Sequence, residues 1–147
     1  MINQSIPRLE FLIKTIPSKL ESIGEPEFSE KSSPAKWSKK EIIGHLIDSA
    51  TNNHHRIIRA QIENITTITY DQNKWNELNC YQHQNGQQII ALWAAYNHHI
   101  LQVIKSLSVE QLTLKVNTGG GLSVTLEYLI DDYVNHLEHH LRQVITY

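Results

Sequence analysis

Cysteine is almost missing from this chain. Cys80 is the only one, so no intrachain disulfide is possible, and a lone Cys fits a reducing compartment. Long apolar runs are missing too: none approaches the roughly 20 residues that a membrane-spanning helix needs. The first residues, MINQSIPRLEFLIKTIP, are amphipathic and lack the apolar stretch of a secretory signal. There is no basic run and no Lys/Arg stripe, and the net charge is −2 with neutral His, which argues against nucleic acid as a partner. No repeat or low-complexity segment stands out, and strand-like alternation is scarce. No G-x-S-x-G, no phosphate-cradling glycine loop and no Cys–His pair offers a nucleophile. These absences lead to the expectation of a cytoplasmic protein with one domain, residues 1–147, acting on a small molecule rather than on a membrane or a nucleic acid.

What the chain has is histidine, nine in all, clustered rather than scattered, and apolar residues spaced for helices. A first helix is expected from Pro7 to Ser22, with Leu9, Leu12, Ile13, Ile16 and Leu20 on its stripe and Pro17 kinking or splitting it. GEPEFSEKSSPAK then reads as a polar linker. In KWSKKEI, Ser38 and Glu41 have the spacing of a capping box, and Trp37 and Ile42 that of a hydrophobic staple. That second helix should run to about Ile62. Residues 64–85 read as a long loop, a length usually reserved for function. A third helix is expected from Gly86 to Ser106, with one more turn capped by Ser108. NTGGG reads as a turn or hairpin tip, and a fourth helix as running from after Thr125 to about Ile145. Four amphipathic helices pack most naturally as an all-α four-helix bundle.

Helical geometry sorts the histidines. His136 and His140 are four apart and stack on one face beside the apolar stripe, while His139 points away toward water. His45 lies at the edge of the second helix's stripe. Ser49, Asn52 and Arg56 follow it along the same line. If these two polar seams meet, three neutral imidazoles surround one cation. Such a set suits Zn²⁺, Ni²⁺, Fe²⁺ or Co²⁺ with a position open for water or substrate. Taken singly, His45 reads as a semi-buried polar residue and the His136–His140 pair as a histidine-rich surface. His54, His55, His83, His98 and His99 read as solvated or as lying behind a site. The zinc-protease motif H-E-x-x-H is not present, because Leu137 follows His136.

Three blocks carry a family resemblance. Trp37 to Arg56 has the pattern W-S-x-x-E-I-x-x-H-L-x-D-S-x-x-N-x-x-x-R. Tyr70 to Trp75 reads Y-D-Q-N-K-W, and Thr125 to Gln143 reads T-L-E-Y-L-x-x-D-Y-V-x-H-L-E-H-H-L-x-Q. Together they resemble the DinB-like superfamily, in its YfiT-like branch of bacillithiol transferase-like proteins and metal-dependent hydrolases. The resemblance implies a bundle with up-down-down-up connectivity and a divalent metal, commonly Ni²⁺ or Zn²⁺. It implies three His ligands, carried over here onto His45, His136 and His140, and frequent homodimers. Asn117 to Ser123 (NTGGGLS) and Asn76 depart from the branch's pattern, and these positions bear on the substrate more than on the metal.

The leading expectation is therefore a metal-dependent enzyme. Its open position takes a low-molecular-weight thiol for S-transfer, bacillithiol-type, or activates water for hydrolysis. Arg56 and Asn52 are candidates to orient a carboxylate of the thiol, Tyr70 and Trp75 to wall the pocket, and Asp48 to stand behind a ligand. For each of these five a structural role is an equal reading. The alternative from another class is a metal-binding stress-response module without turnover. A third is an incidental His cluster on a scaffold domain.

Overall fold

A computed structural model describes residues 2–147. Four long helices dominate: α1 (Ile2–Glu21), α3 (Lys39–Ala60), α5 (Gly86–Ser106) and α6 (Leu126–Val144). Two short ones, α2 (Glu25–Ser29) and α4 (Gln72–Leu78), lie in the connections. Among the described residues, no helix is long and apolar enough to cross a membrane.

Side-chain bonds fix the helix directions. Ser5 donates to Asp131 and Arg8 reaches Asn135 and Glu138, so α1 and α6 run parallel. Lys105, at the end of α5, pairs with Glu10 near the middle of α1, and the pairings that follow make those two helices antiparallel. His45 meets His140 while Ser49 meets His136, which makes α3 and α6 antiparallel. Lys40 donates to the Gln84 carbonyl and His54 meets Tyr96, so α3 and α5 are parallel. The connectivity is up-down-down-up, and α1 touches α5 and α6 while α3 closes the ring between them.

The helix starts follow from the sequence. Ser38 Oγ accepts from the Glu41 amide and Glu41 accepts from the Ser38 amide, the reciprocal capping box. Asn85 and Thr125 cap α5 and α6 in the same way, each side chain accepting from an amide three residues on. Leu12, Ile16, Leu46, Trp93, Ile100 and Leu137 are fully buried in the shared core.

Several expectations are corrected. α1 starts earlier than Pro7 and is not split at Pro17, which lies inside it. Leu12, Ile16 and Leu20 are fully buried on both sides of that proline. Burying each such side chain contributes about 1.5–3 kcal/mol, so together they outweigh the roughly 3 kcal/mol that an interior proline costs. The 24–36 linker contains α2, whose Phe28 is buried in the core. The 64–85 segment is not a loop throughout: it holds β1 (Thr66–Thr67), α4 and a turn of 3-10 helix at Tyr81–His83.

A small sheet also forms, of a kind the alternation did not suggest. β2 (Lys115–Asn117) and β3 (Ser123–Thr125) make an antiparallel hairpin around NTGGG, and β1 joins β2 in parallel. Gly119, Gly120 and Gly121 all have positive φ, which glycine adopts without strain and which lets the hairpin reverse. Gly44 serves a different need. A Cβ there would lie 2.2 Å from the Tyr81 ring, so the 64–85 segment packs on α3 only because residue 44 has no side chain.

Candidate metal centre

α3 and α6 cross where His45 faces His136 and His140. The Nε2 atoms of His45 and His136 are 3.1 Å apart. The three imidazole rings lie 4.6–5.0 Å from one another, centroid to centroid. One ring nitrogen from each residue falls within 4.8 Å of the others. Among the described residues, this is the one group of three or more His, Cys, Asp or Glu with that convergence.

Burial sets the charge state. His45 is 1% exposed. Desolvation, then the neighbouring His136 and His140, push its pKa down from 6.5 to about 3. Desolvation likewise takes His136 down to about 4, with His140 and His139 adding to it. His140, less enclosed, is lowered by burial as well. All three are neutral at pH 7, the form that offers a lone pair to a cation.

The donor set fits a metal. Two nitrogens each about 2.1 Å from a shared ion lie roughly 3.0–3.4 Å apart, depending on coordination geometry. The 3.1 Å between His45 and His136 falls in that span. Without an ion, one of these facing nitrogens must carry a hydrogen for the other to accept. A cation uses both lone pairs. Trp37 lays its ring against the His45 imidazole, 4.9 Å away and tilted by 34°, and shields that side from water. Its spacing from Ile42 marked it as half of a staple, and nothing in the sequence pointed to this second contact. Gln143, which lines a surface groove together with Trp37, places its Oε1 3.2 Å from His140 Nδ1 and holds that ring in place.

The remaining sequence candidates separate. Arg56 and Tyr70 line a cavity of about 160 Å³ that opens beside His136, together with Ser49, Asn53 and Asp132. Asn52 and Trp75 do not line it. Asn52 donates to the Asp48 carbonyl one turn back on α3, and Trp75 sets its ring edge-on to Tyr70 at 5.4 Å, bracing the wall from behind. Asp48 does not reach the histidines. Its Oδ1 accepts from the Tyr81 hydroxyl at 2.6 Å and from Asn79 at 2.9 Å, and its Oδ2 is buried without a partner. Burial raises this carboxyl from 3.8 to about 6, against those two hydrogen bonds. Asp48 thus ties the 64–85 segment to α3. Asn76, the departure noted above, does the same by donating to the Glu41 carbonyl at 2.8 Å.

Apart from His139, whose ring lies 5.0 Å from that of His140, the other histidines stay clear of the centre. His54 packs on Tyr96 and on His99, while His55, His83 and His98 are exposed. His139 is exposed, with its Nε2 3.1 Å from Gln143 Nε2. Glu138 is held by Arg8 at 2.8 Å and turns away from the centre. Asp132, a fixed position of the Thr125–Gln143 block to which the sequence attached no role, is on the cavity wall because it precedes His136 by one helical turn.

Comparison with known proteins agrees with this architecture. A sequence model described as the DinB superfamily matches residues 8–144. A protein of Halalkalibacterium halodurans named "Putative metal-dependent hydrolase" is 26% identical over 137 residues, covering 90% of this chain and 80% of that one. The structure of YfiT from Bacillus subtilis superposes with a TM-score of 0.87 at 21% identity, over 97% of this chain and 82% of that one. Its description is a probable metal-dependent hydrolase with an unusual four-helix bundle topology. A mycothiol-dependent maleylpyruvate isomerase superposes with a TM-score of 0.81 at 14% identity, over 98% of this chain. This chain spans 60% of that enzyme's length.

Proposed function

The chain belongs to the DinB superfamily, and from that premise we propose a divalent-metal-dependent enzyme in which His45, His136 and His140 hold the ion, Ni²⁺ or Zn²⁺. The observation that carries this reading is the convergence of three neutral imidazoles from α3 and α6 beside a cavity. A divalent cation bound there supplies Lewis acidity, which lowers the pKa of a thiol or of water.

The chain's own residues supply the rest. Burial keeps the imidazoles neutral and Trp37 screens one side of them. Arg56, with its Nε and Nη2 donating to the Ile68 carbonyl, is fixed in the cavity wall and presents a positive charge to an anionic group of the substrate. Tyr70 closes the wall beside it. This arrangement suits S-transfer from a low-molecular-weight thiol to an electrophile: the thiol is acidified where it binds, and no separate general base is required. The superposition on a mycothiol-dependent enzyme supports thiol chemistry.

Hydrolysis is the second reading, favoured by the relative named for it and by Asp132, a carboxylate on the cavity wall placed to accept a proton from water. The lone, exposed Cys80 suits a reducing cytoplasm.

The test is turnover by Zn²⁺- or Ni²⁺-loaded protein. A small thiol with an alkylating electrophile is compared with an ester or amide in the absence of thiol. Thiol-dependent conjugation that is lost in His45→Ala supports S-transfer, and thiol-independent cleavage supports hydrolysis. Stoichiometric metal with neither activity leaves the non-catalytic metal-binding module.

A further inference from the structure

The cavity beside His136 holds one cation and one anion that do not neutralise each other. Arg56 is 7% exposed, and no acidic side chain among the described residues lies within ion-pair distance of it. Its hydrogen bonds go to neutral oxygens instead: Nε and Nη2 to the Ile68 carbonyl, and Nη1 to Asn53 Oδ1. A guanidinium has five N–H donors, so one on Nη1 and one on Nη2 stay uncommitted. Asp132 is exposed and makes no hydrogen bond or ion pair among the described residues, yet its charge acts on Arg56 across the cavity.

A buried cation without a counter-ion costs stability that a protein ordinarily relieves by pairing it. Here Asp132 is on the same cavity wall, and the two charges still stand apart. A direct pair would have closed that gap. The separation fits a ligand that brings its own negative and positive charges and sets one against each. The size agrees. About 160 Å³ falls below the roughly 300–1,000 Å³ of pockets that enclose drug-sized ligands, and matches a molecule of amino-acid size.

We propose that this cavity binds the zwitterionic head of an α-amino acid, with the carboxylate on Arg56 and the ammonium on Asp132. The side chain of that amino acid then points along Ser49 toward His136. This orientation rests on the metal-centre reading above, and it identifies the small thiol as an amino acid of the cysteine type.

The head-group claim is testable without the metal. The probes are L-serine, the oxygen counterpart of cysteine, with ethanolamine, which lacks the carboxylate, and 3-hydroxypropionate, which lacks the ammonium. Each is titrated into metal-free full-length protein while the Arg56 Nε–H resonance is followed by NMR. L-Serine should shift that resonance and bind on the order of tenfold more tightly than either analogue, the scale of one charge-assisted contact. Asp132→Asn, a change at an exposed position, should bring L-serine to the level of 3-hydroxypropionate. The proposal is overturned if the analogues bind as well as L-serine, if Asp132→Asn leaves L-serine binding unchanged, or if the Arg56 resonance does not respond. Metal held by the three histidines without any L-serine preference sinks this proposal alone. L-Serine preference in a chain that holds no metal sinks the metal reading alone.

Discussion

Replacing Asp48 by Asn should make the protein's stability less dependent on pH, and the size of the effect follows from one carboxyl. Asp48 is 1% exposed, with Tyr81 and Asn79 donating to Oδ1 and nothing facing Oδ2. Burial raises its pKa from 3.8 to about 6. The folded state therefore binds the proton more tightly than the unfolded chain. The sign is fixed by that order: the folded protein loses stability as pH climbs from 3.8 through 6, and the loss is complete above 6. At about 1.4 kcal/mol per tenfold in proton affinity, a rise of roughly two pKa units costs the ionised form about 3 kcal/mol at pH 8.

An Asn side chain has the same shape and no proton to lose. It keeps an oxygen for Tyr81 and Asn79, and places an amide where Oδ2 was, at a cost of about 1–3 kcal/mol that does not vary with pH. The comparison that matters is therefore between pH values. Urea denaturation of metal-free wild type and Asp48→Asn, run at pH 4.5 and pH 8, should show the difference moving in favour of Asn by about 2 kcal/mol across that range. A stability difference that stays constant with pH would show that Asp48 is not a buried, destabilised carboxyl, and the account of how the 64–85 segment is tied to α3 would fail with it.

Other outcomes follow from the same contacts. Gly44→Ala drives a Cβ to 2.2 Å from Tyr81, so it should destabilise by at least about 3 kcal/mol, read as a fall in Tm, and Tyr81→Ala in the same chain should recover part of the loss. Ser38→Ala removes the acceptor for the Glu41 amide and the donor to Gln82, and should cost about 1–2 kcal/mol in urea denaturation. The lowered pKa values of His45 and His136 mean that the contribution of these two groups to the metal-free protein's stability is full above pH 6.5 and is lost as pH falls toward 4 and below. A His45→Ala, His136→Ala double variant should lose less over that range in the same Tm measurement.

The four long helices were legible because each carries an apolar stripe at helical spacing and three of the four begin at a side-chain cap. The meeting of His45 with the His136–His140 pair was legible in part: spacing puts those residues on a polar seam of each helix, and the packing of the two seams against each other is a tertiary fact. The hairpin tip at NTGGG was legible, but the sheet's strands were not, because strands of two or three residues are too short to show alternation and β1 pairs with a strand almost fifty residues later. Pro17 read as a break because local propensity favours one, and the burial on both sides of it is a tertiary fact. Asp48 sits beside His45 on a helical wheel, yet it turns to Tyr81. That choice depends on a segment whose path the sequence does not show. Asp132 was given no role although it is a fixed position of the Thr125–Gln143 block, because an exposed acid on a polar helix face does not by itself show what it faces.

The central claim is that His45, His136 and His140 hold one divalent metal. Its most direct test is elemental mass spectrometry of protein purified without a His tag or nickel column, alongside His45→Ala and His140→Ala. The account predicts close to one Zn²⁺ or Ni²⁺ per chain in the wild type and near none in either variant. A wild type that is metal-free and cannot be loaded with either ion, or variants that keep the metal, would contradict it.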